Sequence, residues 1–89
     1  MDLWTDEEIR GKILHKLLRK GKLWHSHTSI DQLPKSFPGH MEGRVKAQVV
    51  VLVKERILLI KPTHYGKEVS IDPSLKPKVM YYIEKFLEK

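Results

Sequence analysis

Between Met41 and Val53, the apolar residues Met41, Val45, Val49, Leu52 and Val53 recur at steps of three and four. That is the period of one buried helical face. The same stretch contains Val49-Val50-Val51-Leu52-Val53, a run that propensity alone assigns to a strand. The flanks favour helix. Glu42-Gly43-Arg44-Val45-Lys46-Ala47-Gln48 on one side and Lys54-Glu55 on the other carry the helical period further than one strand needs, so a helix is expected from about His40 to Glu55. Behind it, Ile57-Leu58-Leu59-Ile60-Lys61 reads as a strand, Pro62-Thr63-His64-Tyr65-Gly66 as a turn, and Lys67 to Asp72 alternates polar and apolar residues. A helix that runs straight into a hairpin points to a small α+β fold.

The other elements are signalled by their ends. Thr5-Asp6-Glu7-Glu8 has the form of a capping box, and Trp4 and Ile9 have the spacing of a hydrophobic staple. Ile9, Ile13, Leu14, Leu17 and Leu18 share one face. Acids at the start, Arg19 and Lys20 near the end, and Gly21 as the stop complete a first helix. Leu23 to Thr28 is either a small strand or an extended connector. Ser29-Ile30-Asp31-Gln32 repeats the capping-box pattern, and Pro34 limits that second helix to about Ile30–Lys35. Phe37-Pro38-Gly39 is turn chemistry. Pro77 suits the first turn of a last helix, whose face carries Val79, Met80, Ile83, Phe86 and Leu87.

Eighty-nine residues with a hydrophobic fraction of 40% suffice for one domain and one core. Doubly wound cofactor folds are too large for this chain. The absence of cysteine removes disulfides, thiolate zinc sites and cysteine nucleophiles. No apolar run approaches the roughly 20 residues of a membrane span, and the acidic start lacks a signal-peptide core, so a cytoplasmic protein is expected. The chain has no Asn and only Gln32 and Gln48 as amides, the direction seen in thermophile proteins.

Charge is distributed unevenly. Residues 1–9 carry four acids and no Lys or Arg, and residues 68–89 balance at zero. Residues 10–67 hold thirteen Lys or Arg against Asp31, Glu42 and Glu55, a net of +10. A basic centre of this kind suits a polyanion such as nucleic acid. No phosphate-cradling glycine loop and no Gly-x-Ser-x-Gly motif occurs, so no enzyme activity and no cofactor are expected. His25-Ser26-His27 places two imidazoles on one face only if extended. A metal site there needs further ligands from His15, His40, His64 or carboxylates, and no metal site is expected.

A short helix, a turn, a longer helix and a hairpin, in that order, resemble the winged helix-turn-helix superfamily of bacterial and archaeal regulators. Val45, Val49 and Leu52 resemble the buried positions of its recognition helix, and Ile57-Leu58 the pair that opens the wing. Gly66-Lys67-Glu68-Val69-Ser70-Ile71-Asp72-Pro73 is similar to its second wing strand. The resemblance covers about residues 5–72, and the last helix more loosely. It implies a single winged-helix domain over residues 1–89, with a three-helix core, a two- or three-stranded wing hairpin and a C-terminal helix. Three features depart from the pattern. Arg56 stands where such regulators often carry Gly, Pro34 compresses the second helix, and the recognition helix is poor in Ser, Thr and Asn.

The resemblance also implies that the long helix enters the major groove of duplex DNA while the wing crosses the backbone. Arg44 and Gln48 then become candidates for base edges. Lys35, His40, Lys46, Lys54, Lys61 and Lys67 become phosphate contacts, joined by His64 and Tyr65 at the wing tip. This makes a small transcription regulator or accessory DNA-binding protein. Each of these residues also has a plainer role as solvated charge, ion-pair partner or packing ring. Ala47 and Val50 on the outward face suit a protein partner equally well, which keeps open an interaction module within a transcription, replication or RNA-processing assembly. Val79, Tyr82, Ile83 and Phe86 either pack on the first helix or form a homodimer face.

Overall fold

Thr5 starts the first helix with a reciprocal cap. Its Oγ1 accepts from the Glu8 N–H at 3.1 Å, and Glu8 Oε1 accepts from the Thr5 N–H at 2.9 Å. Two of the donors that a helix start leaves unpaired are thereby satisfied. The computed structural model describes residues 3–20, 28–64 and 66–89. Helix α1 (Asp6–Arg19) leads, after the undescribed stretch, to strand β1 (Thr28–Ser29) and a tight 3₁₀ helix over Ile30–Ser36, the short helix. A second 3₁₀ turn, Gly39–Met41, feeds α2 (Glu42–Lys54). Strands β2 (Leu58–Thr63) and β3 (Gly66–Ile71) follow, then a third 3₁₀ turn and α3 (Lys76–Leu87). Gly21, Trp24, His25 and His27 lie outside the described residues, as does most of the Leu23–Thr28 segment.

The valine run is helical because only a helix buries enough of it. In α2, Val45, Val49 and Leu52 all face the core, at 0%, 3% and 0% exposure. A strand would place Val50 and Leu52 together on the face opposite Val49. Burying three such side chains stabilises by about 2 kcal/mol each, against a helix penalty of a few tenths per valine. Val50 is left 52% exposed.

The exit from α2 holds, among the described residues, the one non-glycine residue at positive φ. Ile57 N–H donates to Leu52 O and Arg56 N–H to Val53 O, both at 3.0 Å. Arg56 adopts φ 63°, and the buried Ile57 packs in the same core as Leu52. This helix stop is normally given to Gly, because a Cβ in the left-handed region costs roughly 1 kcal/mol or more. Arg56→Gly therefore should raise stability by a few tenths to about 1 kcal/mol, after the added freedom of the unfolded chain is deducted. Urea unfolding should show a higher midpoint at unchanged slope. A lower midpoint would show that the Arg56 side chain holds more than its backbone costs.

The sheet is antiparallel in the order β1-β3-β2. Leu58 faces Ile71, Ile60 faces Val69, and Pro62 faces Lys67. The strands run further than the sequence suggests: Pro62 and Thr63 belong to β2 and Gly66 to β3. Proline is tolerated because β2 is an edge strand. Pro34 lies inside the short helix instead of in its first turn. A residue without an N–H cannot sustain an α-helix there, and the segment is wound as 3₁₀ instead. Ser29 caps it by accepting from the Asp31 N–H at 3.3 Å.

Helices α1 and α3 pack closely. Val79, Tyr82 and Ile83 are buried in the core with Ile9, Ile13, Leu14 and Leu17. Phe86 stacks on Trp4 with ring centroids 6.0 Å apart, and Trp4 also meets the edge of Phe37 at 5.4 Å. Of the two roles open to Val79, Tyr82, Ile83 and Phe86, packing within the chain is the one seen, with the first three buried and Phe86 against Trp4. Tyr82 donates through its hydroxyl to Glu55 at 2.9 Å. Burial, and then this bond to a carboxylate, push its phenol above the usual tyrosine range.

Candidate nucleic-acid interface

The outward face of α2 is built by default from what the core leaves over. Gly43, Ala47, Val50 and Lys54 lie along its middle, all exposed, with Lys46 beside them. Lys46 Nζ is 3.8 Å from Glu42 Oε1, an exposed pair one helical turn apart. Such a pair is worth little and opens readily to another anion.

The two residues expected to read bases are occupied elsewhere. Gln48 is only 7% exposed, and its Oε1 accepts from Arg10 Nη1 at 2.8 Å. Arg10 also lies over the Tyr82 ring, 4.8 Å from its centroid. Gln48 therefore joins α2 to α1, as a buried amide must find a partner. Arg44 is exposed but directed sideways. Its Nη2 donates to Trp4 O at 2.8 Å and to Asp6 Oδ1 at 3.2 Å, at the start of α1. One cause accounts for both: α1 crosses the flank of α2 that carries these residues, burying Gln48 and pairing the still exposed Arg44. The acidic first nine residues were the available signal for Arg44.

The phosphate candidates divide into groups. Lys54 is exposed at the end of α2 and Lys35 on the short helix. His40 is exposed just before α2, and His64 is exposed at the hairpin turn. Tyr65 lies outside the described residues. Lys61 and Lys67 do not share a face. Lys67 pairs with Pro62 and Lys61 with Glu68, so strand alternation sends the two lysines to opposite sides of the hairpin. Lys67 is the one beside α2: with Lys46, Ile30, Pro34, Val49, Val50 and one acid, Asp31, it lines a groove between the short helix and α2. Lys61 stands on the far side, opposite an acid.

Sequence reasoning missed a second group. Lys12, His15, Lys16, Arg19 and Lys20 line a groove along α1, facing Ser36 and Phe86. The spacing of Lys12, Lys16 and Lys20 is visible in the sequence, but basic residues at the end of a helix are also accounted for by its dipole alone. Among the described residues, no group of three or more His, Asp or Glu is placed to hold a metal ion, and no helix is long and apolar enough to cross a membrane. Compared with known protein families, curated proteins and solved structures, the chain matches none.

Proposed function

We propose that this chain is a winged-helix protein that holds duplex DNA by its phosphates and reads bases little. The observation that carries this is the contrast on α2. Its base-reading candidates, Gln48 and Arg44, are bonded within the chain, while Lys46, Lys54 and, across the groove, Lys67 stay exposed. Lysine is a compact point charge suited to phosphate positioning, which carries no sequence information. The short helix, α2 and hairpin follow in the order of a winged helix-turn-helix, with the antiparallel β2–β3 hairpin as the wing. Gly43 and Ala47 leave the helix slim for close approach, and Ala47 and Val50 offer only apolar contact, such as to a thymine methyl. An accessory DNA-binding role fits this surface better than a site-specific regulator.

The test is direct. Two duplexes of equal length and unrelated sequence should bind with affinities within about threefold, since non-specific binding is electrostatic. A preference of about a hundredfold for one would overturn the phosphate reading, because that range requires base contacts.

A second reading has its own observation. The Gly43–Ala47–Val50 line continues into the groove lined by Ile30, Pro34 and Val49, with Val50 52% exposed. That apolar strip favours a winged-helix interaction module with a protein partner. Failure of any nucleic acid to be retained at low salt would select it.

A further inference from the structure

The densest positive charge lies along α1. Lys12, Lys16 and Lys20 are four residues apart and share one face, with Arg19 and His15 beside them. Each four-residue step rises about 6 Å, close to the separation of neighbouring phosphates on one strand. Among the described residues, no ion pair joins any of Lys12, Lys16, Arg19, Lys20 or Lys35 to an acid. Burial, and then repulsion from Lys20, Lys12 and Lys35, hold the Lys16 ammonium below its ordinary pKa. A cluster of like charges without acids costs the fold energy, and a bound polyanion offsets that cost.

Two of these cations are already positioned. Lys16 Nζ donates to Gln32 O at 3.3 Å. Lys12 Nζ sits over the Phe37 and Trp4 rings, 4.9 and 5.4 Å from their centroids. Cations held in place lose less freedom when a partner arrives. The aromatic rings nearby are committed: Phe86 stacks on Trp4 and meets His15 at 5.6 Å. Free bases, which need an open ring to stack on, gain little here, so the surface suits a backbone whose bases stay paired.

We infer that the α1 groove is a second phosphate-binding surface, which takes the sugar-phosphate backbone of duplex nucleic acid alongside the α2–hairpin face. Both surfaces border the short helix, Ser36 lining one and Ile30 and Pro34 the other. The inference rests on the nucleic-acid reading above and names residues outside the face that reading used.

The experiment compares Arg19→Ala/Lys20→Ala with Lys54→Ala/Lys67→Ala, all four side chains being exposed. Thermal melting of each variant checks that it is folded. For the α1 pair, duplex affinity at about 0.1 M salt should fall tenfold or more, and the slope of log affinity against log salt should shrink by about 1.8. If the α1 pair changes neither while the Lys54/Lys67 pair weakens binding, the inference fails and the DNA reading stands. If the wild-type chain retains no duplex at low salt, both fail. Tighter binding of single strand than duplex, lost in the α1 pair, would overturn the assignment to paired backbone. So would capture of phosphatidylserine vesicles that is lost in the α1 pair while duplex binding is unchanged, which would assign the groove to lipid headgroups.

Discussion

Gly11→Ala should destabilise the fold by about 2 kcal/mol or more, while the same change at Gly43 should stabilise it. Both glycines lie inside helices, α1 and α2, where alanine is ordinarily better by about 1 kcal/mol. Their surroundings differ. A Cβ at Gly11 would strike the Tyr82 carbonyl oxygen and come within 2.8 Å of Phe86 Cβ, whereas at Gly43 nothing lies within 4 Å. A carbonyl in α3 cannot turn aside as a side chain can. Relief requires the two helices to separate, which loosens the packing of Ile9, Ile13, Val79 and Ile83. For a domain this small, the loss corresponds to a melting point lower by roughly 10–15 °C, and the Gly43 gain to a rise of a few degrees. Thermal unfolding of the two single variants reads the difference. Equal rises for both would refute the close approach of α1 and α3.

Gly11 also marks where the sequence stopped being readable. On the chain it is only a weak point in a helix, and its meaning depends on a helix seventy residues later. Local signals transferred well. The Thr5–Glu8 cap, the helical valine run and the pairing of the two later runs as a hairpin each depend on neighbours a few residues away, and each appears in the structure, though the strands take Pro62, Thr63 and Gly66 from the expected turn. The orientation of Gln48 and Arg44 did not transfer, because α1 alone determines which flank of α2 is covered. A helical wheel places both residues at the edge of the exposed face and cannot say on which side of that edge a neighbour will fall. Lys12, Lys16 and Lys20 were overlooked for a different reason. The helix dipole gave a sufficient account of basic residues near the end of α1, and only the approach of Ser36, Phe86 and Lys35 turns them into a shared surface. Pro34 limits helix length, as its missing N–H implies, but 3₁₀ winding lets the segment continue around it.

Affinity for duplex DNA should collapse as salt is added. The α2–hairpin face offers Lys46, Lys54 and Lys67, and the α1 groove offers Lys12, Lys16, Arg19 and Lys20. If about five of these engage phosphates together, the slope of log affinity against log salt is about −4.5. Raising salt from about 50 to about 200 mM then lowers affinity roughly 500-fold. Little of the binding should survive as a salt-independent remainder, since Gln48 and Arg44 are bonded within the chain and Ala47 and Val50 carry no hydrogen-bonding side chain.

A titration of one labelled duplex with the wild-type chain across that salt range is therefore decisive. A straight line with a slope between about −4 and −6 is the expected result. A change of less than about threefold over the range, or no retention even at the lowest salt, would contradict the assignment of these lysines to a phosphate backbone.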